Sequence, residues 1–127
     1  MHTPYQERLS RLPNIRVKYR FKSEAEGGRK SLPYQGIRFD FSYDESNNLY
    51  IIYPEFEDEN GYIILKDNIP VPCVGTALMW IINPESIPFH QEKIQIGTKG
   101  FFREGDNIIA ECEVIEVIDL HNNLADK

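Results

Sequence analysis

Residues 15–22, IRVKYRFK, alternate without a fault: Ile15, Val17, Tyr19 and Phe21 fall on one side, Arg16, Lys18, Arg20 and Lys22 on the other. Successive side chains of an extended chain point to opposite faces, so this period of two reads as a half-buried strand with a wholly basic outer face. Residues 37–44, IRFDFSYD, alternate equally well, with Ile37, Phe39, Phe41 and Tyr43 turned inward. Strands of this kind hold only as part of a larger sheet.

The rest of the chain supplies candidates. Residues 49–53 form a third strand, and residues 61–65 a fourth, after the acidic, turn-rich EFEDENG. Residues 74–82, VGTALMWII, are apolar on both faces, which suggests a strand covered on both sides; Trp80, the single tryptophan, lies within it, and Asn83-Pro84 stops it. A short strand follows at 93–96, and a last one at 107–118, long enough to need a bend or bulge. Residues 3–12 read as a short helix, with Thr3 as cap, Pro4 in the first turn, Gln6 at the capping-box spacing, Leu9 and Leu12 on one face to pin it, and Pro13 to end it. The expected architecture is all-β: a closed or partly open antiparallel barrel of about six to seven strands with a short N-terminal helix. It divides into a helical segment (1–13), the barrel (14–118) and a flexible polar tail (119–127).

The two alternating strands are joined within the run 26–41, EGGRKSLPYQGIRFDF. Gly27-Gly28, Pro33 and Gly36 supply turn chemistry, and Arg29, Lys30 and Arg38 sit inside that frame. Here the chain resembles the C-terminal β-barrel, the third domain, of bacterial elongation factor Tu. The residues that carry the resemblance are Glu26, Gly27, Gly28, Arg29, Pro33, Tyr34, Gly36, Arg38, Phe39 and Phe41. Further on, LMWIINPESIP is similar to the family's strand that ends at a proline, and FREGDNIIAECEVIEV to its closing Arg-Glu-Gly turn and last strand. The likeness spans 14–118 and is weak over 44–74. The family's Pro-Gly-Asp turn has no clear counterpart, and Asp106 and Asn107 replace the glycine and arginine that follow Arg-Glu-Gly. That turn lies near bound transfer RNA in the family, so an acid there weakens that role.

The resemblance implies a small bacterial, cytoplasmic, stand-alone translation-factor-type barrel. It does not extend to a GTPase: no Gly-x-x-x-x-Gly-Lys-Ser/Thr loop exists to cradle a nucleotide, so none is expected. No apolar run approaches the roughly 18 residues of a spanning helix, and the N-terminus has no signal-like apolar core; no membrane association is expected. Cys73 and Cys112 both sit in apolar surroundings and read as buried free thiols of a reducing compartment. His2, His90 and His121 are scattered without paired ligands, and no serine or cysteine has an activating neighbour; neither a metal, a cofactor nor catalysis is expected.

Charge is distributed unevenly. Residues 1–39 carry nine Lys/Arg against three Asp/Glu (+6), and residues 40–127 carry five against seventeen (−12), giving the net −6. The basic strand face (Arg16, Lys18, Arg20, Lys22) either tracks a phosphate backbone or pairs across strands with Glu111, Glu113 or Glu116. Arg29, Lys30, Tyr34, Arg38 and Arg103 are the candidate partner-binding residues; the alternative for the loop arginine is a cap on the barrel end. The expected function is non-catalytic binding of RNA, transfer RNA among them, or of a translation-related protein. The alternative is an acidic, immunity-type factor that neutralises a basic protein partner; a small-ligand barrel is a third reading. The oligomeric state stays open, a dimer being compatible.

Overall fold

The computed structural model describes residues 1–121. The elements in chain order are α1 (Tyr5–Leu9), β1 (Ile15–Phe21), β2 (Asp40–Ser42), β3 (Ile52–Phe56), β4 (Val74–Ile81), α2 (Ile87–Gln91), β5 (Lys99–Glu104) and β6 (Asn107–Val117). All six strands join one antiparallel sheet in the order β2-β5-β6-β1-β4-β3. The sheet curls until its two edges approach: Phe41 of β2 and Tyr50, just before β3, exchange backbone bonds of 2.9 and 2.8 Å. The result is an all-β, partly open barrel.

β1 occupies the middle of the sheet, and its alternation is realised in full: Ile15, Val17, Tyr19 and Phe21 are each at most 3% exposed. They meet Phe39, Phe41, Phe56 and Phe102 in an aromatic core, with Tyr19 edge-on to Phe56 at 5.2 Å and Phe39 stacked on Phe102 at 6.2 Å. Gly100 makes room for this packing, because a Cβ there would stand 2.3 Å from the Phe41 ring. The length of β6 is absorbed by bulges: its register slips by one residue against β1 between Arg16 and Val17, and against β5 between Phe102 and Arg103.

From Ala77 to Ile81, β4 is buried on both faces, although its first residue, Val74, is exposed. Ala77, Met79 and Ile81 enter the core; Trp80, on the outer face, lies under the N-terminal segment, with Tyr5 edge-on at 5.9 Å and the Arg11 guanidinium above its ring. Glu55 of β3 is fully buried there as well. Its carboxylate meets His2 Nε2 at 2.5 Å, and accepts from the Tyr5 N–H at 2.9 Å and Trp80 Nε1 at 3.1 Å. A buried carboxylate is tolerable only with this degree of pairing.

Several elements differ from the sequence pattern. Thr3 does not cap α1: Pro4 takes that position without a side-chain bond, Ser10 ends the helix in the left-handed region, and Tyr5, not Leu9 or Leu12, anchors it. The third strand lies at Ile52–Phe56 and includes Pro54, which an edge strand accommodates. Residues 61–65 form no strand beyond a single Glu57–Ile63 bridge. The Gln35 side chain occupies the place of a partner: its amide donates to Phe56 O and Ile64 O, and its carbonyl accepts from the Phe56 N–H. Residues 93–96 follow α2 as a turn closed by Lys93 and Ile94 N–H bonds to His90 O. The missing strand is β5, hidden by Lys99 and Gly100, which break the apolar alternation. Cys112 is buried as expected; Cys73 is exposed, at the turn entering β4. Of the tail 119–127, residues 122–127 lie outside the described residues. Leu120 is buried, and its carbonyl accepts from Gln91 Nε2 at 2.7 Å. Asn14 ties this end in, accepting at its carbonyl from the Ile118 and Asp119 N–H groups and donating through Nδ2 to Asp119 O.

Candidate partner-binding surface

The outer face of β1 is flanked by β6 on one side and β4 on the other, and the β6 register puts Arg16 opposite Glu116, Lys18 opposite Glu113 and Arg20 opposite Glu111. Arg16 grips Glu57 with both arms of its fork, Nε to Oε1 at 3.0 Å and Nη2 to Oε2 at 3.1 Å, and also binds Glu116. Thr76 Oγ1 donates to the same Glu57 carboxylate at 2.8 Å. The bond to Glu57 raises the Arg16 pKa further above its ordinary value. Arg20 forks onto Glu26 at 3.0 and 3.1 Å and reaches Glu111 at 3.3 Å. The same bond, with the Ser23 N–H and hydroxyl, brings Glu26 down to about 2. Lys18 stays exposed, and Lys22 is half-buried beside the turn. Two of the four stripe residues, Arg16 and Arg20, are thus tied up in ion pairs, each with one partner across strands.

The loop that follows β1 is rigid from its first residue. Ser23 and Glu26 form a reciprocal capping box around the short turn Glu24–Glu26. Gly28 then packs against β1 so closely that a Cβ would lie 2.1 Å from Lys22 O. Arg29 is directed back onto the barrel: Nη1 bonds Glu104 at 2.5 Å, Nε donates to Ser31 O, and the guanidinium lies over Phe39. Lys30 is exposed. Tyr34 is half exposed and bridges to Pro70, while the Val71 N–H bonds Pro33 O. Arg38 is exposed over the Tyr53 ring.

Arg103 is in the interior, 1% exposed. Its fork donates to Ser42 Oγ, Ser46 O, Asn47 Oδ1 and Asp106 O, holding the loop after β2 against the β5–β6 turn. It is therefore out of a partner's reach. Of the five candidates, Lys30, Tyr34 and Arg38 face solvent, Arg29 braces the loop, and Arg103 braces the core.

The structure adds a feature the alternation did not reveal. Between the 57–66 turn and the 69–75 segment lies an open groove of about 650 Å³, with Leu65, Ile69, Pro70 and Val74 along it and Asp58 and Glu59 at its edge. Ile69 is 44% and Val74 65% exposed, high for aliphatic side chains placed side by side. The sequence signal was the IPVP run at 69–72, whose prolines keep the chain from pairing as a strand.

Three further titratable groups, His90, Tyr43 and Cys112, lie largely in the interior. His90 is 1% exposed, with Nδ1 at 2.6 Å from the Tyr43 hydroxyl, and burial, aided by Lys93, lowers its pKa to about 4. Burial also raises the Tyr43 hydroxyl and the Cys112 thiol, so both stay protonated. Among the described residues no group of three or more His, Cys, Asp or Glu could hold a metal ion. No helix of the described residues is long and apolar enough to cross a membrane. No known protein-family profile matches this chain, and neither does any curated protein.

Proposed function

We propose that this chain is a non-catalytic protein-binding module whose partner is basic. The carrying observation is the contrast between its two charges. Arg16 and Arg20, two of the four cations of the β1 face, are held by the chain's own carboxylates, whereas the acidic Asp58 and Glu59 line an exposed apolar groove. Phosphate-backbone binding needs cations free to displace counterions, and Arg16 and Arg20 are engaged. A net charge of −6 opposes a polyanion and favours a cationic protein.

Co-purification of the tagged full chain tests this. A stoichiometric basic protein that survives nuclease treatment and is released by salt is the expected result. A second reading, RNA binding of translation-factor type, draws on Lys30, Tyr34 and Arg38, which face solvent on the loop that resembles the elongation factor's. Low-salt titration with transfer RNA that saturates, and is lost on Arg38→Ala with Lys30→Ala, overturns the protein-binding proposal in its favour.

A further inference from the structure

We infer that the groove receives an extended segment of the partner protein, one that alternates apolar and basic side chains. This rests on the protein-binding reading above and specifies where and how the partner seats.

The sheet is short of a strand at this point. The pairing of β3 with β4 ends at Phe56 opposite Ala77, followed by one bond from the Glu57 N–H to Thr76 O at 3.0 Å. The chain then turns away at Asp58, whose Oδ1 accepts from the Asn60 and Tyr62 N–H groups. Val74 and Gly75, the first residues of β4, run on past the end of β3, with β1 on one side and the groove on the other. The phase of the ladder decides which of them faces out. The Phe21 N–H bonds Cys73 O, so Tyr19 and Gly75 form the next hydrogen-bonded pair, and the backbone groups of Val74 point away from β1 toward the groove. An exposed stretch of strand edge is a template for adding another chain's backbone.

The walls say what that chain carries. Leu65, Ile69 and Val74 offer aliphatic surface to every second side chain of an added strand. At the rim, Glu57 is engaged by Arg16 and Thr76, which leaves Asp58 and the exposed Glu59 against a single cation, Lys66. A segment with Lys or Arg between its apolar residues meets both features. An RNA strand has no amide edge for Val74 and is repelled by the rim.

The probe is a fluorescein-labelled ten-residue peptide of alternating lysine and valine, titrated by anisotropy against the full chain. The controls are the same peptide with glutamate for lysine, and with serine for valine. Expected is saturable binding of the lysine–valine peptide alone, with amide shifts concentrated in 57–66 and 69–75. Glu59→Lys with Ile69→Ser, both in exposed positions, weakens it by about tenfold or more, while Glu85→Lys on the distant Pro84–Ser86 turn leaves it unchanged. Should the double variant fail to fold, the milder Glu59→Gln reports through a reduced salt dependence. No binding, equal binding to parent and groove variant, or binding of the glutamate peptide overturns the inference. A protein partner that co-purifies equally with the groove variant removes this site while leaving the protein-binding reading in place.

Discussion

Lowering the pH should loosen the barrel through His90, by an amount set by its surroundings. His90 sits where α2 closes the open side of the barrel, packed between Tyr43, Tyr50 and Phe89. The Tyr43 hydroxyl, kept protonated by burial, is hydrogen-bonded with Nδ1 at 2.6 Å, and the Lys93 ammonium lies over the Tyr43 and Phe89 rings. A second proton on the buried ring is poorly solvated and adds a cation near Lys93. The folded pKa of about 4 lies below the ordinary 6.5. The unfolded chain therefore takes up a proton first as pH falls. The contribution of neutral His90 is complete above about pH 6.5, shrinks below it, and is gone near pH 4. At about 1.4 kcal/mol per pH step, the loss approaches roughly 3 kcal/mol, a large part of the stability of a domain this size. Urea unfolding of the parent and His90→Gln from pH 7.5 to 4.5 measures this, since the contribution of the carboxylates cancels in the difference. Parallel pH dependence of the two proteins, or a His90 ring that titrates near 6.5 in the folded state by NMR, refutes the reasoning.

Two further outcomes follow from the charge pairs. Arg16→Leu leaves Glu57, 2% exposed, without its fork and should cost about 3 kcal/mol; Glu57→Gln in the same chain should recover most of it, and a double-mutant cycle by chemical denaturation reads the coupling. Glu55→Gln replaces an oxygen facing His2 and the Tyr5 N–H by a donor, so it should cost about 3 kcal/mol and speed amide exchange across residues 2–12, with a change in Trp80 fluorescence.

How much of this was legible before folding depends on the range of each interaction. The alternation of 15–22 determined which side chains enter the core, because period two is a property of the extended backbone itself. Over 37–44 it placed Phe39 and Phe41 there, but only Asp40–Ser42 pairs as a strand, Ile37 and Tyr43 are partly buried, and Ser42 on the other side is buried as well. The double-faced apolarity of 74–82 marked a strand that is covered on both faces only from Ala77 to Ile81, and did not reveal that the cover over Trp80 is Tyr5 and Arg11 from the N-terminus. The failures are long-range. Residues 61–65 were expected to form a strand; instead the Gln35 side chain bonds both Phe56 and Ile64, and nothing local to either segment announces it. Lys99 and Gly100 hide β5, since Gly100 is required by a ring 59 positions earlier in the chain, at Phe41. Arg103 carries the charge of a surface residue and the contacts of a core one, because the loop after β2 folds over it.

By itself, then, the sequence determined an alternating β-sheet pattern, the inward face of its first strand, and a cationic loop rich in turn residues, all consequences of side-chain period and turn chemistry acting over a few residues. Whether those cations are free was decided only by tertiary structure. Glu57, Glu104, Glu111 and Glu116 arrive from 41 to 100 positions away to meet Arg16, Arg20 and Arg29. Strand order, which no local pattern encodes, placed β1 beside β6 and so set Arg16 and Arg20 of the basic stripe against Glu116 and Glu111. The turn closed by Asp58 ended β3 short of β4 and opened the groove at Val74.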